Sequence, residues 1–86
     1  MTSTAIDTDL RDKIRDIVAD VLEVEVEEVS WTAHFQDDLD SDSMRAIELL
    51  AQLERHFDVS IKQQELLRMQ DLASTYEVVL EARGGK

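Results

Sequence analysis

The sequence predicts an all-α fold, a small three- to four-helix bundle with a long loop between its first two helices, and three observations lead there. Proline is absent and the two glycines are Gly84 and Gly85, so no strong breaker interrupts the interior. Apolar residues recur at intervals of three and four in separate segments, the spacing of a helix face. The one segment that alternates like a strand, "EVEVEEVS" at residues 23–30, has no second strand candidate to pair with. It reads as loop, with Val24, Val26 and Val29 partly tucked in.

The elements follow in order. From about Thr8, the stripe Leu10, Ile14, Ile17, Val18 and Val21 predicts an opening helix, with Arg11, Asp12, Arg15 and Asp16 off the stripe. A connection then runs to about Ser41, pinned by Trp31 and Phe35; so long a loop in a small domain points to function. Trp31 reads as a packing anchor rather than the wall of a ligand groove. A central helix is expected from near Ser43 to about Phe57. Its apolar band of Met44, Ile47, Leu50, Ala51 and Leu53, widened by Ala46 and Leu49, implies more than one packing neighbour. "FDVSI" bends the chain, Gln63 to Leu67 form a short third helix, and a closing helix starts near Gln70 with Leu72, Ala73, Tyr76, Val79 and Leu80 inward. The whole reads as a single domain over residues 1–86, with an ordered core of about 7–82 and frayed tails at 1–6 and 83–86.

Composition limits the function. A chain of 86 residues buries only about 60–65% of its unfolded surface and does not easily enclose a deep active site; a surface function is expected. The 43% hydrophobic content is enough for a core. A formal charge of −11 repels nucleic-acid phosphates and anionic membranes and favours basic protein partners. There is no apolar run of membrane-spanning length, and "MTSTAIDTDL" lacks the basic and apolar parts of a signal peptide. A monomeric cytoplasmic protein is expected. With no cysteine, thiolate metal sites and protein thiol nucleophiles are excluded. Any sulfur chemistry must use imported sulfur.

The stretch "DLDSDSMRAIELL", residues 38–50, concentrates the polar signal. Asp38, Asp40 and Asp42 match the opening of a calcium loop, but that loop needs glycine at its sixth position and glutamate at its twelfth. Those positions hold Ser43 and Leu49. A nucleophilic Ser43 lacks the glycine-lined elbow of hydrolases. His56 lies about 20 Å farther along the same helix at ~1.5 Å per residue, and His34 reads as a solvated loop residue. Asp42 fits an N-cap whose carboxylate accepts from first-turn amides. Ser43 then stands exposed at a helix start, where a phosphate ester would meet backbone amides and the positive end of the helix dipole.

These residues carry a family resemblance. "FQDDLDSDSMRAIELLAQLERHFDVSI" resembles the central segment of acyl carrier proteins: a phenylalanine, acidic residues and a leucine lead to Asp-Ser-Leu or Asp-Ser-Met and a helix ending in Glu-x-x-Phe. The likeness extends to the opening helix, the closing "MQDLASTYEVV" and the chain length. It implies a carrier without catalytic activity of its own. Ser43 would bear 4′-phosphopantetheine, donated from coenzyme A by a magnesium-dependent phosphopantetheinyl transferase, with Asp42 as the flanking motif residue. The arm's thiol would hold acyl groups as thioesters. Met44 takes the place of a leucine, and Glu48 that of an acidic residue on the partner-facing side; Met44, Arg45 and Glu48 are the expected partner contacts. The partners implied are an acyl- or aminoacyl-loading enzyme, an acyltransferase or a ketosynthase, and the cluster Glu23, Glu25, Glu27 and Glu28 is either solvated loop or a second recognition patch.

Departures from the family pattern shape the expectation further. Asp40 stands where glycine is usual, Lys62 where proline is usual, and the span from Ile61 to Met69 is shorter, which predicts a third helix reduced to a turn. Arg45 replaces an often acidic residue, and Arg55 follows on the same helix. Polyketide or mixed polyketide and nonribosomal peptide biosynthesis is therefore favoured over fatty-acid synthesis. An aminoacyl, peptidyl or D-alanyl carrier is the alternative within the family; an unmodified acidic adaptor or calcium-binding module is the alternative outside it.

Overall fold

The computed structural model describes residues 8–39 and 42–84. Among the described residues four α-helices succeed one another: α1 (Thr8–Leu22), α2 (Phe35–Leu39), α3 (Ser43–Phe57) and α4 (Leu72–Ala82). Single 3₁₀ turns lie at Val26–Glu28 and Gln63–Leu67. The second of these is the third helix reduced to a turn that the sequence predicts. α1 packs against both α3 and α4, and the Gln63–Leu67 turn packs beside α3.

The core is the meeting of three helical stripes. Ile14 and Val18 of α1, Leu49 and Leu53 of α3, and Leu72 and Val79 of α4 are essentially inaccessible to solvent. Thr75 is equally buried, and its hydroxyl donates to the Asp71 carbonyl at 2.8 Å, so no polar group is left unsatisfied there. The predicted stripe of α1 is buried throughout, and Tyr76 is core. Thr75 and Val78 join the inward side of α4 without having been expected there.

Three sequence expectations are corrected. The long connection is not all loop, because residues 35–39 form α2, whose Phe35 and Leu39 are buried one turn apart. So short a helix is marginal alone. It is held by tertiary bonds, with the Phe35 amide donating to the Gln70 carbonyl at 2.8 Å. Val29 is fully buried rather than partly tucked in, since the 3₁₀ turn before it swings it inward. Finally, the apolar band of α3 does not all find neighbours: Leu49, Leu50 and Leu53 are buried, while Met44, Ile47 and Ala51 are exposed.

Caps account for the helix ends at which no glycine or proline stands. α3 and α4 begin on Asp42 and Asp71, whose carboxylates accept from the Arg45 amide at 3.0 Å and the Ser74 amide at 2.8 Å. Each cap is worth about 1 kcal/mol. α1 and α3 end on residues in the left-handed region, Glu23 at φ 59° and Asp58 at φ 54°. The Val24 amide then reaches back to the Ala19 carbonyl at 3.0 Å and the Val59 amide to that of Glu54 at 3.2 Å, the closure usually made by glycine. The Glu54 carboxylate also takes the Ile61 amide at 2.8 Å, fixing the bend after α3. Arg83 and Gly84, expected as frayed tail, form a turn that closes α4, with Gly84 at φ 79°. The remaining expected tail residues, and Asp40, which stands where the family has glycine, lie outside the described residues.

Candidate functional site

Ser43 is the first residue of α3 and is exposed. Its position follows from Asp42, whose extended backbone (φ −126°, ψ −177°) stops the chain from being helical one residue earlier. Because the Asp42 carboxylate takes the Arg45 amide, the first turn starts at Ser43 with its hydroxyl carbon on the solvent side.

Beside Ser43 lies a groove of about 320 Å³. Ala46 and Ile47 of α3, Phe35 of α2, and Leu66, Leu67 and Met69 from the 3₁₀ turn and its exit supply its apolar surface. His34, Gln36 and Gln70 supply polar groups, and Asp42 and Ser43 line the same groove. The surrounding surface is unusually apolar for a charged chain: Met44 is 78% and Leu67 79% exposed, and Ile47 is 47% exposed. Burying such side chains in a partner is favourable at roughly 25 cal/mol per Å².

The groove wall is laced to α4. The Trp31 carbonyl accepts from the Ala73 amide at 3.1 Å, and the Trp31 and Tyr76 rings meet edge to face at 5.6 Å. Trp31 is thus the packing anchor that the sequence predicts. His34 Nδ1 accepts from the Asp37 amide at 3.4 Å while its Nε2 faces Gln70 Oε1 at 3.2 Å, and Gln70 Nε2 donates to the Leu67 carbonyl at 3.0 Å. Both ring nitrogens are engaged, so His34 acts as a latch between α2 and the far wall. Arg68 ties the 3₁₀ turn to α4 through Glu65 at 2.8 Å and a two-pronged contact with Glu81 at 2.9 and 3.0 Å. Hydrogen bonding to Arg68 holds the Glu81 carboxyl below its ordinary range.

Asp38 and Asp42 serve the backbone. Asp38 accepts from the His34 amide at 2.8 Å, and Asp42 caps α3. Among the described residues, no three His, Asp or Glu side chains are placed to hold a metal ion. None of the described helices is long and apolar enough to cross a membrane.

The expected partner contacts divide. Met44 and Glu48 are exposed on α3 near Ser43. Arg45 turns the other way: its guanidinium donates to the Val21 carbonyl at the end of α1 and pairs with the Glu23 carboxylate at 3.4 Å. Glu23 is therefore an ion-pair member, and it is exposed like Glu25, Glu27 and Glu28. Sequence reasoning did not find the groove, whose signal was the surplus of apolar residues on the central helix.

A serine at an open helix start, an aspartate cap before it and an apolar groove alongside fit a phosphodiester-linked arm. The model of the phosphopantetheine attachment site matches residues 12–79. The chain belongs to the acyl carrier protein family, whose prosthetic group is phosphopantetheine and whose members are carriers rather than catalysts. Among its relatives, polyketide-8 synthase acyl carrier protein 1 of Streptomyces avermitilis is 46% identical over 80 residues, covering 93% of this chain and 95% of that one. Polyketide-8 synthase acyl carrier protein 2 of the same organism is 39% identical, covering 96% and 92%. The fold matches the solved acyl carrier protein of Enterococcus faecalis with a TM-score of 0.71 at 19% identity, over 87% of this chain and 95% of that one.

Proposed function

We propose that Ser43 carries the phosphopantetheine arm and that the chain is a freestanding carrier of acyl intermediates in polyketide biosynthesis. The observation that carries this reading is the placement of Ser43, exposed on the first turn of α3 at the mouth of an apolar groove. The identities of 46% and 39% to two polyketide synthase carriers, over nearly their full length, support the pathway.

When bound, the arm supplies a thiol on which an acyl group is held as a thioester. The protein's residues do the rest. Asp42 holds the first turn in register by capping it, so that the Ser43 hydroxyl is presented to a phosphopantetheinyl transferase with coenzyme A as donor. Met44 and Ile47 offer apolar contact area to that enzyme and to the acyltransferase and ketosynthase that follow, and Glu48 offers a charge to their basic surfaces. The net charge of −11 steers encounters with basic partners and keeps phosphate-rich polymers away.

Intact mass measured before and after incubation with a promiscuous phosphopantetheinyl transferase, magnesium and coenzyme A tests the assignment. The wild type gains one phosphopantetheine and Ser43→Ala gains none. A folded wild type that gains no mass, or a gain that persists in Ser43→Ala, overturns it. Acylation of the modified chain by a malonyl-loading acyltransferase, set against amino-acid-activating enzymes, tests the pathway.

A further inference from the structure

We infer that Arg45 is a positioning residue for the modification of Ser43, acting as a clamp that fastens the first turn of α3 to the end of α1. The inference rests on the Ser43 reading above. α1 carries no basic residue in its last turn and ends on two acidic residues, Asp20 and Glu23, next to the negative end of its own dipole. The missing cation comes from α3. The Arg45 guanidinium lies on the Val21 carbonyl, one of the carbonyls that α1 leaves without a helical partner, and on the Glu23 carboxylate at 3.4 Å.

A second observation bears on the same contact. Glu23 sits at φ 59°, a conformation that disfavours side chains other than glycine, and there its carboxylate meets the guanidinium. Residue 45 is consequently held from two directions, its amide by Asp42 at 3.0 Å and its side chain by α1. Ser43 is two residues upstream in the same turn. The clamp also withdraws a positive charge from the surface around Ser43, where Asp42 and Glu48 stand exposed.

A transferase reacts with a serine held in one geometry, so loosening that turn lowers the fraction of carrier that is ready. A clamp differs from a direct enzyme contact in one measurable way: it depends on Glu23, which lies on another element. The modification rate is measured by mass for wild type, Arg45→Ala, Glu23→Gln and the double variant, with Glu25→Gln as a control for charge. Amide exchange at residues 45–47 is followed alongside. Expected are losses in kcat/KM of about tenfold for Arg45→Ala and about threefold for Glu23→Gln, a double variant no slower than Arg45→Ala, and faster exchange in all three. Glu25→Gln matches the wild type. Wild-type rate and exchange in Glu23→Gln, or losses that multiply in the double variant, overturn the clamp; the surface position of Glu23 keeps this arm readable if Arg45→Ala does not fold. A wild type that gains no mass overturns the Ser43 reading instead, a result distinct from equal rates among modified variants.

Discussion

Along α3, Leu49, Leu50 and Leu53 are at most 7% exposed, whereas Met44 and Ile47, equally apolar, are 78% and 47% exposed. The first group faces the rest of the bundle and the second flanks Ser43 and the groove. The difference separates two uses of the same chemistry. Buried leucines are spent on folding, while exposed apolar side chains cost little stability as they stand and gain a neighbour only when another molecule arrives.

Substitutions test that division, beginning with the largest effect. Leu53→Ala leaves a cavity at a site with no exposure and is expected to lower stability by about 2–5 kcal/mol in urea unfolding. Met44→Ala is expected to stay within about 0.5 kcal/mol of wild type while slowing transfer of the arm to Ser43. Equal stability losses at the two positions would erase the contrast. Next come the caps: Asp71→Ala and Asp42→Ala each remove one carboxylate from a first-turn amide and should cost about 1 kcal/mol. Only the second should also slow modification, since Asp42 caps the helix whose first residue is Ser43 while Asp71 caps α4. The smallest effect is that of the Arg68–Glu81 contact, which joins the end of the 3₁₀ turn to α4. Because the Glu81 carboxyl is held below its ordinary value, its contribution is present above the unfolded carboxylate pKa, about 4.3, and fades as pH falls through the lower folded value. The stability difference between wild type and Glu81→Gln, followed by thermal unfolding, should therefore be small at neutral pH and shrink further in acid.

What the sequence revealed, and what it hid, has a consistent physical basis. The three main helices were legible because each writes a stripe of period 3.6, and the exposed helix start at Ser43 was legible because Asp42 before it is a capping residue. α2 was hidden although Phe35 and Leu39 have helical spacing, because a helix of five residues is made by its bond to Gln70 rather than by its own propensity. The ends of α1 and α3 fall where the sequence places them, but the left-handed closures that make them were hidden, because Glu23 and Asp58 take a backbone shape that glycine usually signals. The fate of the α3 band was not legible, since a periodic pattern shows that residues are apolar but not whether a neighbour covers them. The bond from Arg45 to Val21 was not legible because it spans 24 residues of chain.

Trp31 and Tyr76 are the only tryptophan and the only tyrosine in the chain, and their rings lie 5.6 Å apart. Light absorbed by the phenol passes readily to an indole this close. Because Trp31 belongs to the long connection and Tyr76 to α4, the indole emission becomes an optical gauge of one joint. It brightens under tyrosine excitation while the connection is seated and dims when it lifts, in the unlabelled protein and in real time.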